Sequence, residues 1–205
     1  MNNIIEECKG KIKAEADALY TVAEQVDSSY VEAIDAIMNS KGRLIITGLG
    51  KTGHIGKKIA ASFASLGIPA YFVHSCESLH GDMGMITKKD VVIMLSNSGK
   101  SQEILNMLPP LKIIGATTIS ITKGKDTPLA QGTDIAICAN AGSEIDHMGL
   151  APTTSSTAAL AVGDALATVI SALKGFRKED FALSHPGGAL GQKLLKEYQE
   201  RVNKA

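Results

Sequence analysis

Three short runs rich in Gly, Ser and Thr carry the groups best suited to chemistry: Thr47-Gly48-Leu49-Gly50-Lys51-Thr52-Gly53-His54, Ser96-Asn97-Ser98-Gly99-Lys100-Ser101 and Pro152-Thr153-Thr154-Ser155-Ser156-Thr157. Each adjoins a helical pattern, and the first two also follow an apolar strand. Unpaired backbone N–H groups at a helix start carry partial positive charge, and hydroxyls beside them add donors, so the runs suit an anion such as phosphate. The candidate ligands are Gly50 and Thr52 in the first run, Ser96, Asn97, Ser98 and Ser101 in the second, and Thr153, Ser155, Ser156 and Thr157 in the third. With them come a lysine, two carboxylates and a histidine: Lys51, Glu103 in a first helical turn, Glu144 after Ala141-Gly142-Ser143, and His185 before Pro186-Gly187-Gly188. Such a set can hold a phosphorylated molecule and move protons on it.

The elements that must position these groups can be read from periodicity. Residues 3–26 carry Ile5, Cys8, Ile12, Ala16, Leu19, Ala23 and Val26 mostly three or four apart, a helical stripe. A second helix is expected from Ser29, where Ser29-Tyr30-Val31-Glu32 has capping-box spacing. From Arg43 the period changes. Leu44–Ile46, Ala70–Val73, Val91–Leu95, Thr117–Ile121 and Ile135–Cys138 are short apolar runs, as expected of parallel strands covered on both faces. Helical patterns from His54 to Leu66 and from Gln102 to Ile114 lie between them, the second breaking near Pro109-Pro110. A buried helix from Ser156 and an amphipathic helix from about Ala189 to Asn203 follow. The repeated strand–helix order predicts an α/β fold with an open parallel sheet, in one domain over 1–205: helices over 1–40, the α/β core over 41–175 and a C-terminal segment over 176–205. Ligands of such sheets bind beyond the carboxyl ends of the strands, where the first two runs lie.

Composition narrows the function. The 205-residue chain balances 21 Lys and Arg against 21 Asp and Glu, with no run of like charge, which predicts neither a nucleic-acid partner nor a membrane surface. With four Phe, four Tyr and no Trp, base-stacking platforms are also unexpected. Cys8, Cys76 and Cys138 lack metal-ligand spacing and read as reduced thiols of a cytoplasmic protein, without a metal site. The opening residues have neither the cationic start nor the apolar core of a signal peptide. The apolar stretch from Ala158 to Leu173 is interrupted by Asp164, Thr168 and Ser171 and falls short of the roughly 20 residues that span a bilayer.

Two motif readings fail on their own terms. Gly48-x-Gly50-x-x-Gly53 matches the dinucleotide fingerprint, yet the second strand ends at Val73-His74-Ser75 without the acid that would hold the ribose. A P-loop needs a glycine five positions before each GK[ST], and Ile45 and Met94 stand there.

The ordered set Gly48–Gly56, His80-Gly81-Asp82-x-Gly84-Met85, Ser96–Gly99, Gly149–Thr157 and Leu183–Gly191 resembles the SIS (sugar isomerase) domain, and within it the D-arabinose 5-phosphate isomerases. The resemblance implies a flavodoxin-like three-layer sandwich with a five-stranded parallel sheet. It implies reversible conversion of D-ribulose 5-phosphate to D-arabinose 5-phosphate, without a cofactor, in a homo-oligomer that is a tetramer built from dimers. The family's catalytic lysine, glutamates and histidine fall on Lys51, Glu103, Glu144 and His185, its second site histidine falls on His80, and His185 is placed at a neighbour's site. Many members continue into a pair of CBS modules, whereas this sequence ends at Ala205, so the form expected is one lacking them. Lys100 stands where relatives often carry an acid, and other SIS isomerases act on other ketose phosphates. Some SIS domains are instead non-catalytic sugar-phosphate modules.

Moving a carbonyl from C1 to C2 needs a base for a carbon-bound proton, a partner for the enediolate oxygen and a clamp on the phosphate. Glu144 or Glu103 is the expected base, with partial burial raising its pKa toward neutrality. Lys51 supplies a fixed cation, and His185 can shuttle the hydroxyl proton or open a sugar ring. His54, His74 and His147 read as structural or surface histidines.

Overall fold

The computed structural model describes residues 2–202, so the final position expected for the last helix, Asn203, lies outside the described residues. Helices α1 (Asn2–Ala23) and α2 (Ser28–Asn39) precede β1 (Leu44–Gly48), α3 (Gly50–Ser65), β2 (Ala70–His74) and α4 (Ser75–Ser78). A 3-10 turn over Asp82–Met85 leads to β3 (Val91–Leu95), α5 (Gln102–Leu105), α6 (Leu108–Ile114), β4 (Thr117–Thr122), α7 (Pro128–Gly132) and β5 (Ile135–Cys138). The chain closes with α8 (Thr154–Leu173), α9 (Lys178–Ser184) and α10 (Ala189–Val202).

All pairings are parallel, in the order β2-β1-β3-β4-β5. The order reverses between β1 and β3, so the loops leaving their carboxyl ends splay apart there and open a crevice. Alternate residues of each strand face opposite layers. Leu44, Ile46, Val91, Ile93 and Leu95 pack with Ile59 and Phe63 of α3, Val162, Leu166 and Ile170 of α8, and Ile37 of α2. Ile45, Val92 and Met94 pack with Ile104, Met107 and Leu111, and with Leu129 of α7. Two cores on one sheet make the expected three layers.

Several boundaries differ from the sequence reading. α2 is capped by Asp27, whose carboxylate accepts the Ser29 N–H at 3.0 Å and the Ser29 hydroxyl at 2.6 Å, because the helix starts at Ser28 and leaves Ser29 inside it. α3 begins at Gly50 rather than His54, since contact with the sheet overrides the weak helix propensity of its glycines. The break after α5 falls at Asn106–Met107, before the prolines, which occupy the first turn of α6 where a missing N–H is harmless. α8 starts at Thr154 and spans 20 residues, long and apolar enough by length and composition to cross a membrane. Here it packs on α3, which Gly163 allows: a Cβ there would stand 2.6 Å from Ile59. The stripe expected over residues 3–26 is mostly unused in this chain. Of its expected residues Leu19 is partly buried, whereas Ile5, Cys8, Ile12, Ala16, Ala23 and Val26 stay exposed, and the helix packs instead through Ala18 and Val22.

Candidate active site

The register places Gly48, His74 and Leu95 side by side at the carboxyl edge of the sheet. After β1 the chain turns at Leu49 straight into α3, a turn so tight that a Cβ on Gly48 would lie 2.9 Å from the backbone of Thr52. Leu49 is extended and offers no side-chain cap to α3. The first-turn N–H groups of that helix therefore face the crevice without a side-chain acceptor. Thr52 donates its hydroxyl to the Leu49 carbonyl at 2.8 Å, and Lys51 projects from this turn, exposed.

After β3, buried Ser96 accepts the Gly99 N–H at 3.2 Å and lies 3.4 Å from the Ser101 hydroxyl. The exposed Ser98 hydroxyl accepts the Lys100 N–H at 3.2 Å, and the Asn97 carbonyl accepts the Lys123 N–H at 2.9 Å, tying this loop to the end of β4. Glu103 sits half-buried in the first turn of α5, and no hydrogen bond or ion pair is formed by its carboxylate among the described residues.

The third run meets the other two. Thr52, Ser96, Asn97 and Ser155 line one narrow pocket with Ile121, Thr122, Ala139 and Ala159. Ser156 and Thr157 take another course, returning their hydroxyls to the Thr153 carbonyl at 2.8 and 3.1 Å. Glu144 serves as the cap of α8. Its carboxylate accepts the Thr153 N–H at 2.8 Å, the Thr153 hydroxyl at 3.0 Å, the Ser155 N–H at 3.2 Å and the Ser155 hydroxyl in a short contact. Burial by itself raises the Glu144 pKa, but the hydrogen bonds from Ser155 and Thr153 outweigh it and hold the carboxyl below its ordinary value. This corrects the expectation of a base raised toward neutrality, because four donors stabilise the ionised form.

The structure does not bring every candidate together. His80 is exposed on the loop after α4. His185 ends α9, stacked on Phe181 at 3.8 Å, with Nε2 at 2.8 Å from the Ser65 hydroxyl and Nδ1 at 2.8 Å from the Phe181 carbonyl. Ser65 is the last residue of α3 and Lys51 lies in its first turn, so about 21 Å of helix separates them. Within one chain His185 therefore stands at the wrong end of the sheet for Lys51, Glu103 and Glu144. Beside it is a recess of Leu66, Phe176, Phe181 and Leu194 with Arg177, Lys178 and Lys193, which shares no residue with the three runs.

Of the remaining histidines, His74 caps α4 by accepting the Cys76 N–H at 3.3 Å, while His54 and His147 are exposed. Sequence reasoning missed the braces behind Glu144. Gln25, in the turn after α1, bonds both backbone groups of Asn140, at 2.8 and 3.0 Å, just past β5. No spacing joins residues this far apart in sequence.

Comparison with known proteins bears on the family and the fold. The family model for the SIS domain matches residues 37–169. The arabinose 5-phosphate isomerase KdsD of Pseudomonas aeruginosa is 47% identical over 193 residues, 94% of this chain and 59% of that protein. KdsD of Escherichia coli K12 is 45% identical over 187 residues, 91% of this chain and 57% of that protein. The chain thus spans less than two thirds of the length of these relatives. A protein of Escherichia coli CFT073 solved in complex with arabinose 5-phosphate superposes with a TM-score of 0.88 at 42% identity, over 90% of this chain and 98% of that one.

Proposed function

Because the chain belongs to the SIS domain family, we propose that it is an aldose–ketose isomerase interconverting D-ribulose 5-phosphate and D-arabinose 5-phosphate through an enediol. The observation that carries this reading is the convergence of three hydroxyl-bearing runs on one pocket at the sheet edge, with Lys51 and Glu103 on the adjoining first turns. Likeness to a protein solved with arabinose 5-phosphate supports the choice of sugar.

From the aldose, a carboxylate takes the C2 proton, the electron pair forms the C1–C2 enediolate, and the proton returns to C1 while the O2 proton moves to O1. Glu103 is the carbon base, since its carboxylate meets no competing donor among the described residues, whereas Glu144 could reach a substrate carbon only by releasing Thr153 and Ser155. Glu144 instead stays ionised and fixes Ser155 in the pocket wall. Lys51 holds the enediolate oxygen or the phosphate, Ser96, Ser98 and Ser101 with the first-turn N–H groups of α3 hold the phosphate, and no cofactor takes part.

The hydroxyl proton shuttle is His185 of the partner subunit in a homo-oligomer, a tetramer built from dimers. What supports this is the position of His185 against Ser65 of its own chain, at the far end of α3.

In deuterium oxide the purified protein should convert D-arabinose 5-phosphate with label entering the product, read by proton NMR. Turnover without any label would mean direct hydride transfer, and no turnover would refute the reading.

A further inference from the structure

The chain between Glu144 and α8 folds back on itself so that a carboxylate and a helix start nine residues apart can meet. No apolar burial holds this turn: Met148 is 60% exposed and Leu150 is 73% exposed. One carboxylate does. Asp146 Oδ1 accepts the Met148 N–H at 2.9 Å, and Oδ2 accepts those of Leu150 and Ala151 at 2.7 and 2.8 Å. The Gly149 N–H donates to the Asp146 carbonyl at 3.1 Å and closes the same turn. From outside, Lys11 of α1 donates to the Ile145 carbonyl, and the Ile145 N–H donates to the Thr153 hydroxyl at 3.1 Å.

We propose that Asp146 is a positioning residue, folding the 146–151 turn so that Glu144 meets Thr153 and Ser155 and fixes Ser155 in the pocket wall. A loop without a core loses conformational entropy on ordering, and only its hydrogen bonds offset that loss. Asp146 gathers three such bonds on one charged group, where they are strongest. The charge is needed because all of its partners are donors. In Asp146→Asn one carboxylate oxygen becomes an NH2 facing an N–H, so at least one bond is lost and the turn loosens. The kinetic consequence rests on the isomerase reading, whereas the structural one does not.

The test compares the 205-residue protein with its Asp146→Asn variant by amide hydrogen exchange and kinetics. Exchange at Met148, Leu150, Ala151, Thr153 and Ser155 should quicken by about tenfold or more, with β1 and β3 unchanged, which separates a loosened turn from a damaged fold. KM for D-arabinose 5-phosphate should rise by about tenfold with kcat within about threefold. Combined with Glu144→Gln, the variant should add nothing to the loss caused by Glu144→Gln alone, because both act through the same contact. Unchanged exchange at Thr153 and Ser155, or single losses that multiply in the double variant, would overturn the proposal. If the wild-type protein isomerises no sugar phosphate, the isomerase reading fails, and the exchange data alone decide the role of Asp146: quickened at Thr153 and Ser155 it stands, unchanged it falls.

Discussion

At the scale of single residues, the two glutamates are the informative pair. Among the described residues the Glu103 carboxylate has no partner while that of Glu144 accepts four donors, so their substitution should split the kinetic constants in opposite ways. Glu103→Gln keeps the shape and removes the proposed base, so kcat should fall by about 100-fold or more with KM nearly unchanged. Glu144→Gln presents an NH2 to a site made of donors, so KM should rise and the start of α8 should loosen. Steady-state kinetics on both variants checks this, and a reversed pattern would exchange the two roles. The depressed Glu144 pKa also fixes a sign. Its stabilising contribution is present above its ordinary value of 4.5 and is lost as pH falls through the lower folded value, so acid should loosen α8 in the native protein. Glu144→Gln should flatten that acid limb of a stability–pH curve. Ser101→Ala removes one donor among several and should weaken substrate binding by about 1 kcal/mol, with kcat retained.

At the scale of elements, carboxylates pin the ends of the sheet and its helices. Buried Asp90 accepts the Arg43 N–H at 2.6 Å, the Thr87 N–H at 2.6 Å and the Thr87 hydroxyl at 2.9 Å, joining the starts of β1 and β3. Burial raises its pKa, and these bonds outweigh that and lower it. Asp90→Ala strands two backbone donors and should cost about 3 kcal/mol, read from the urea midpoint. Asp27, which caps α2 and pairs with Lys125 at 2.6 Å, is lowered to about 2 from 3.8 mainly by that lysine, with Ser29 adding. Its contribution is therefore lost as pH falls from about 4 to about 2. The pair is half exposed, so screening keeps that contribution to about 1 kcal/mol or less. Gly163 sets how closely α8 approaches α3, and Gly163→Val should destabilise by about 1–3 kcal/mol through overpacking against Ile59.

At the scale of the whole molecule, the proposed second copy rests on two observations. Within one chain His185 lies far from Lys51, Glu103 and Glu144, and most of the apolar stripe of α1, Ile5 and Ile12 among it, faces solvent. Glu103→Ala and His185→Ala protomers, unfolded together and refolded as a mixture, should therefore regain roughly a quarter of wild-type activity, because half the dimers are hybrids with one intact site of two. Hybrids shown to form yet remaining inactive would assign His185 to its own chain. Ile5→Asp with Ile12→Asp should lower the assembly state measured by light scattering while leaving the fold intact, since neither side chain is buried in the single chain.

The sequence by itself determined the α/β class, all five strands and the chemistry-bearing runs, because these are local. Runs such as Val91–Leu95 reflect burial on both faces, and Ser/Thr/Gly clusters at helix starts reflect backbone donors that need partners. Where helices begin was less legible: α3 starts in glycines and α8 in threonine and serine, residues whose propensities argue for loop until packing against the sheet decides. The environment of each site group belonged wholly to the tertiary structure. Only the fold turns Glu144 from a half-buried base into the anion at the start of α8, and only it sets His185 against Ser65, because protonation and reach depend on neighbours that no spacing along the chain records.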